Sequence, residues 1–99
     1  MSQAEKTEYE EKMEARLTKM KAEIQRLEGE LKERKADARM GMRDELQRLR
    51  QRRDAVKAKL HVLKTSSGAA WGEAKDGVAK AWIDLESAFQ KAAAEFKRR

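Results

Sequence analysis

The chain has no cysteine, no proline, five glycines and only five aromatic residues in 99. Without cysteine there is no disulfide framework, no thiolate metal site and no cysteine nucleophile. Proline lacks an N–H and clashes with the preceding helical turn. Its absence is what a mostly helical chain would show. No hydrophobic run approaches the roughly 20 apolar residues needed to span a bilayer. The N-terminal MSQAEKTEYEEK has no apolar core, so it does not read as a signal peptide. The expected compartment is therefore the cytoplasm.

Chemistry is also sparse. His61 is the only histidine. Residues 57, 58, 64 and 65 bring no carboxylate to its face, so it reads as a partly exposed helix residue rather than a metal ligand. Glu10, Glu11 and Glu14 form an acidic cluster of the kind that is normally solvated on a charged helix. No nucleophile–base pair, phosphate-cradling glycine loop or metal-ligand spacing occurs. The expectation is a non-enzyme with no catalytic residues, no metal, no cofactor and no small-molecule substrate.

Charged residues make up 42% of the chain and hydrophobic ones 39%. A single domain this polar either stays disordered or buries a narrow stripe. The stripe is present. Met13, Leu17, Met20, Ile24, Leu27 and Leu31 recur at alternating spacings of four and three, an a/d heptad seam. The pattern fades at Lys35 and Ala38. It resumes at Met42, Leu46, Leu49, Arg53, Val56, Leu60 and Leu63, with a stutter between Ala38 and Leu46. The spacing predicts one long helix over about 3–64. The alternative is a break at Gly41, but no proline, polar spacer or Ser/Thr/Asn cluster marks one there. Glu8–Lys12, Glu28–Lys32, Glu30–Arg34 and Asp44–Arg48 are candidate i,i+4 ion pairs.

Thr65-Ser66-Ser67-Gly68 is the one turn-like cluster. Ser66 or Ser67 suits a helix N-cap, and Gly68 suits a positive φ. Beyond it, AWGEAKDGVAK (70–80) repeats as AWIDLESAFQK (81–91), and AAAEFKRR begins a third copy. Eleven residues make three turns, so each copy returns to nearly the same face. Trp71, Val78, Trp82, Leu85, Phe89 and Phe96 fall within about 60° of one another at 100° per residue. Ala74, Ala81, Ala88 and Ala92 flank them. This predicts an amphipathic helix over about 69–97, packed on residues 42–63. An alternative use of its aromatic face is a membrane surface or exposed apolar protein.

The net charge of +6 is concentrated in the middle of the chain. Residues 1–40 carry ten basic and ten acidic groups, residues 41–64 eight and three, and residues 65–99 six and five. Arg43, Arg48, Arg50, Arg52, Arg53, Lys57 and Lys59 are therefore candidate anion-binding residues. They carry a second alternative, non-specific nucleic-acid binding. Residues 5–14 carry five Glu against two Lys. An antiparallel dimer of the long helix would place that acidic end beside a partner's basic segment.

Two stretches, RDELQRLRQRRDAVKAKLHVLK and AAWGEAKDGVAKAWIDLESAFQKAAAEF, joined by a Ser/Gly link, resemble a known family. It is that of small bacterial coiled-coil stress-response proteins of about 100 residues. The resemblance covers nearly the whole chain. Its most specific part is Trp71, Gly77, Val78, Ala81, Trp82, Leu85, Ala88, Phe89 and Phe96. Gly72-Glu73-Ala74 departs from the bulkier turn that family members often carry after the first Trp. The resemblance implies a cytoplasmic, non-enzymatic, stress-linked role, and it supplies no catalytic or ligand residues.

Together these features predict a single all-α domain, 1–99. It is an antiparallel coiled-coil hairpin of a long helix (3–64), a turn (65–68) and an amphipathic helix (69–97). Such a hairpin leaves Met13 to Leu31 uncovered. Those residues are the expected oligomer seam, and the chain itself is the expected partner, most simply in a homodimer.

Overall fold

The computed structural model describes residues 2–98. Three helices account for almost all of them: α1 (Gln3–Lys32), α2 (Ala36–Lys64) and α3 (Gly68–Arg98). No strand occurs among the described residues. Short turns make sequential helices antiparallel, so α1 and α3 run parallel. The bundle measures 51 × 17 × 17 Å. Its length is set by the 31-residue α3 at about 1.5 Å per residue.

The expected continuous helix over 3–64 is thus corrected to two helices. The chain turns at Glu33-Arg34-Lys35, and Gly41 lies inside α2. A straight helix would expose Met13, Leu17, Met20, Ile24 and Leu27. Folding back buries all five within the same chain and half-buries Leu31. Burying each such side chain stabilises by about 1.5–3 kcal/mol. Giving up a few backbone hydrogen bonds costs about 1 kcal/mol each. Burial decides the outcome. The proposed oligomer seam is an intramolecular core, so it gives no reason for a second copy to cover it.

The ends of the helices are secured unequally. Ser2 and Glu5 form a capping box on α1: the Ser2 hydroxyl accepts from the Glu5 N–H at 3.1 Å, and the Glu5 carboxylate accepts from the Ser2 N–H at 3.3 Å. These bonds hold the Glu5 pKa below its ordinary value. The first turn has no comparable cap. Lys35, the N-cap of α2, is extended (φ −67°, ψ 154°) and makes no side-chain cap bond. Arg39 does the stitching instead. Its Nε donates to the Arg34 carbonyl at 2.7 Å and its Nη2 to the Lys32 carbonyl at 3.1 Å. At the second turn Gly68 has φ +57°, the left-handed region that a Cβ disfavours. Thr65 and Ser66 turn back: their hydroxyls donate to the Val62 carbonyl at 3.1 and 2.6 Å.

One core runs the length of the bundle. Toward the α1 C-terminus it contains Ile24, Leu27, Met42, Leu46, Leu49, Val56, Leu85, Ala92 and Phe96, with Trp82 and Phe89 packed against it. At the other end Met13, Leu60, Leu63, Trp71 and Val78 form a second cluster, with Tyr9 against it. The two edges of the α3 face are unlike. Alanines at 81 and 88 permit α3 to lie closest to α2, whereas α1 and α3 stand farthest apart along their backbones. Aromatic side chains span that wider gap. Trp71 meets Tyr9 edge-on at 5.9 Å and donates to Glu10 at 3.1 Å, and burial raises the Tyr9 pKa.

The ion pairs, two of them between helices, also differ from the local pairs expected. Glu28 meets Arg50 of α2, Glu30 meets Arg26, and Arg48 meets Glu45. Glu14 meets Lys64. Of the acids at 5–14, Glu14 thus meets the basic second helix inside one molecule.

Candidate anion-binding face on the second helix

Three sets of residues were candidates for function, and burial separates them. The seam set is core, as above. On the aromatic face, Trp71, Val78, Leu85 and Phe96 are buried, and Trp82 and Phe89 are half-buried. These side chains are occupied by α1 and α2. The basic set is different. Arg43, Arg48, Arg52, Lys57 and Lys59 are exposed, while Arg50 and Arg53 are half-buried.

The helical period explains why. The buried side of α2 is Met42, Leu46, Leu49, Val56, Leu60 and Leu63. Arg43, Arg50, Lys57 and Lys64 stand seven apart along the edge facing α1. Successive members are about 10.5 Å apart at 1.5 Å per residue. Arg48, Arg52 and Lys59 lie along the edge facing α3. Between the two edges runs an outer ridge of exposed residues that includes one acid: Asp44, Gln47, Gln51, Ala55, Ala58 and Val62. The bundle thus presents two rows of cations on either side of a ridge whose only acid is Asp44, with Asp54 at its border.

Not every cation is available. Arg48 pairs with Glu45 at 2.8 Å, Arg50 with Glu28, and Arg53 with Asp54 at 3.1 Å. Among the described residues Arg43, Arg52, Lys57 and Lys59 form no ion pair. The Lys59 stem lies along α3, where a Cβ on Gly77 would be 3.7 Å from its Cδ. Its aliphatic part packs while its charge reaches solvent.

Sequence reasoning missed the neighbours that widen this face. Lys91 of α3 joins Arg48 and Arg52 along the α2–α3 groove, with Glu45 and Asp84 as acidic members. Lys21 of α1 joins Lys57, His61 and Lys64 along the α1–α2 groove, opposite Glu14. Lys91 was visible as the last position of the 11-residue unit, but only the packing of α3 on α2 places it beside Arg52.

The face suits phosphate contact through guanidinium and ammonium groups. Desolvated titratable side chains are the usual mark of an active site. Among the described residues no polar or charged side chain is buried. None of them forms a group of three or more His, Cys, Asp or Glu able to hold a metal ion. Among the described residues no helix is long and apolar enough to cross a membrane. Compared with protein-family models, curated proteins and solved structures, the chain matches none.

Proposed function

We propose that this chain is a non-catalytic helical module that binds nucleic-acid backbone along the exposed face of α2. One observation carries the reading. Residues 36–64 hold nine basic and four acidic groups, a net +5, against +6 for the whole chain. The same helix keeps Arg43, Arg52, Lys57 and Lys59 exposed and without ion pairs among the described residues. Arg43 and Lys57 stand about 21 Å apart on one edge of a rigid helix, and Arg52 and Lys59 about 10.5 Å apart on the other, a spacing that suits contact with phosphates and so sequence-tolerant binding. A stress-linked role is proposed as well, on the family resemblance of the two sequence stretches alone.

The aromatic face of α3 is a weaker candidate for the binding surface, because membrane or protein capture would first have to strip it from α1 and α2. The test is anisotropy of a labelled duplex oligonucleotide over a salt series. Neutralising about four phosphates gives a slope of about −3.6 in log K against log salt. The quadruple variant Arg43→Gln, Arg52→Gln, Lys57→Gln, Lys59→Gln should remove most of that slope and leave the helicity intact. Absence of binding at low salt, or an unchanged slope in the variant, would overturn the reading.

A further inference from the structure

The turn at Glu33-Arg34-Lys35 is made from residues that locally favour continuing the helix. It has no glycine, proline, serine or asparagine. The N-cap residue Lys35 contributes no side-chain cap. The seam positions Leu27, Leu31, Lys35, Ala38 and Met42 follow at spacings of 4, 4, 3 and 4, so at 100° per residue the apolar ones stay within about 60° of one another across the turn. Only burial of α1 on its own α2 and α3 forces the turn.

We propose that a second copy of this chain is a partner, and that two chains associate by exchanging α1. In the exchanged dimer residues 3–64 of each chain form one helix. The α1 segment of one chain occupies the place on α2 and α3 that its own α1 holds in the monomer. The core contacts of Met13, Leu17, Met20, Ile24 and Leu27 are the same in both forms, which makes exchange a low-cost route to a dimer.

The register agrees. The residue numbers of the inter-helix pairs Glu14–Lys64 and Glu28–Arg50 each add to 78, so a single antiparallel register runs along α1 and α2. Straightened, that register centres on Arg39, half of 78. The two-fold axis then passes between Ala38 and Met42 of the seam. Leu31 and Ala38 are half-buried in the monomer and gain cover there. Arg39 opposes the change, because its two bonds to the Arg34 and Lys32 carbonyls exist only when the chain is turned.

The inference is independent of nucleic-acid binding, and its test reads mass and distance. Sedimentation of the wild-type chain is measured from micromolar to millimolar concentration, before and after slow cooling from the unfolded state. Spin labels are placed at Thr18→Cys and His61→Cys, which line the same groove, in a chain with no other cysteine. The labelled chain is diluted into excess unlabelled chain. Exchange lengthens the within-chain distance from a groove's width to about 64 Å, the rise of 43 helical residues.

Ala36→Pro suits the turned chain, since Lys35 is already extended and Ala36 is the first residue of α2. It cannot sit inside a continuous helix. The variant should weaken dimerisation at least tenfold. Arg39→Ala should strengthen it severalfold, so a fold failure in the proline variant would still leave a decisive measurement. A wild-type monomer under every condition would overturn the proposal. So would a dimer whose within-chain distance stays short.

Discussion

Thr65, Ser66 and Gly68 reverse the chain with residues suited to reversal, while Glu33, Arg34 and Lys35 do it with residues that belong in a helix. At the second turn the local sequence and the fold agree. Gly68 occupies φ +57°, and the hydroxyls of Thr65 and Ser66 satisfy the last carbonyls of α2. At the first turn they conflict. The backbone is bent there because five apolar side chains of α1 are better covered after bending. A turn written in its own residues survives changes elsewhere. A turn imposed by packing lasts only as long as the packing does.

The largest expected effect breaks the packing behind the first turn. Leu27 is 1% exposed, and Leu27→Ala should cost about 2–5 kcal/mol, measured by urea unfolding of dilute chain. If Leu27 served only a contact between chains, dilute stability would not change. Next comes the second turn. Gly68→Ala should cost about 1–2 kcal/mol, because a Cβ is placed at positive φ. Gly29→Ala, in the interior of α1 with nothing within 4 Å of the added carbon, should instead stabilise by about 0.5–1 kcal/mol. The pair separates backbone strain from simple helix propensity.

Arg39→Ala removes the stitching of the first turn and should cost about 1 kcal/mol in the monomer. Ala36→Pro should raise monomer stability by about 0.4–1 kcal/mol, by restricting the unfolded chain. Opposite signs in thermal melts of these two variants would show that the turn, not the helix beyond it, sets the effect. The smallest effect is at the start of α1. The folded pKa of Glu5 is depressed. Its contribution is therefore present above the unfolded carboxylate range and lost as pH falls through the folded value. Amide signals of the first turn should broaden below about pH 4, and Ser2→Ala, which removes the hydroxyl but keeps the backbone N–H, should weaken that dependence.

Much of this was legible in the residues. The six seam positions, the six positions of the aromatic face and the 65–68 turn were read from spacing and composition. The break at 33–35 was not, because nothing in Glu-Arg-Lys distinguishes a turn from a helix surface. The available signals were indirect. A lysine stands at seam position 35, and a two-helix hairpin would have left Met13 to Leu31 uncovered. An uncovered seam argues for a second chain only while the first helix stays straight, and the bend at 33–35 covers it within one chain. The basic face was legible as composition. Which of its cations are free depended on acids 1 to 50 residues away, such as Asp54 for Arg53, Glu45 for Arg48 and Glu14 for Lys64.

The position of α2 in the bundle has a consequence for recognition. It packs between α1 and α3 along most of its buried side. Its backbone is already ordered before any ligand arrives. A polyanion meeting Arg43, Arg52, Lys57 and Lys59 has only side-chain rotamers to immobilise, at about 0.5–1.5 kcal/mol each, and no segment to fold. The charged face is a preorganised surface, one that should bind and release quickly, with its affinity set by salt rather than by conformational change.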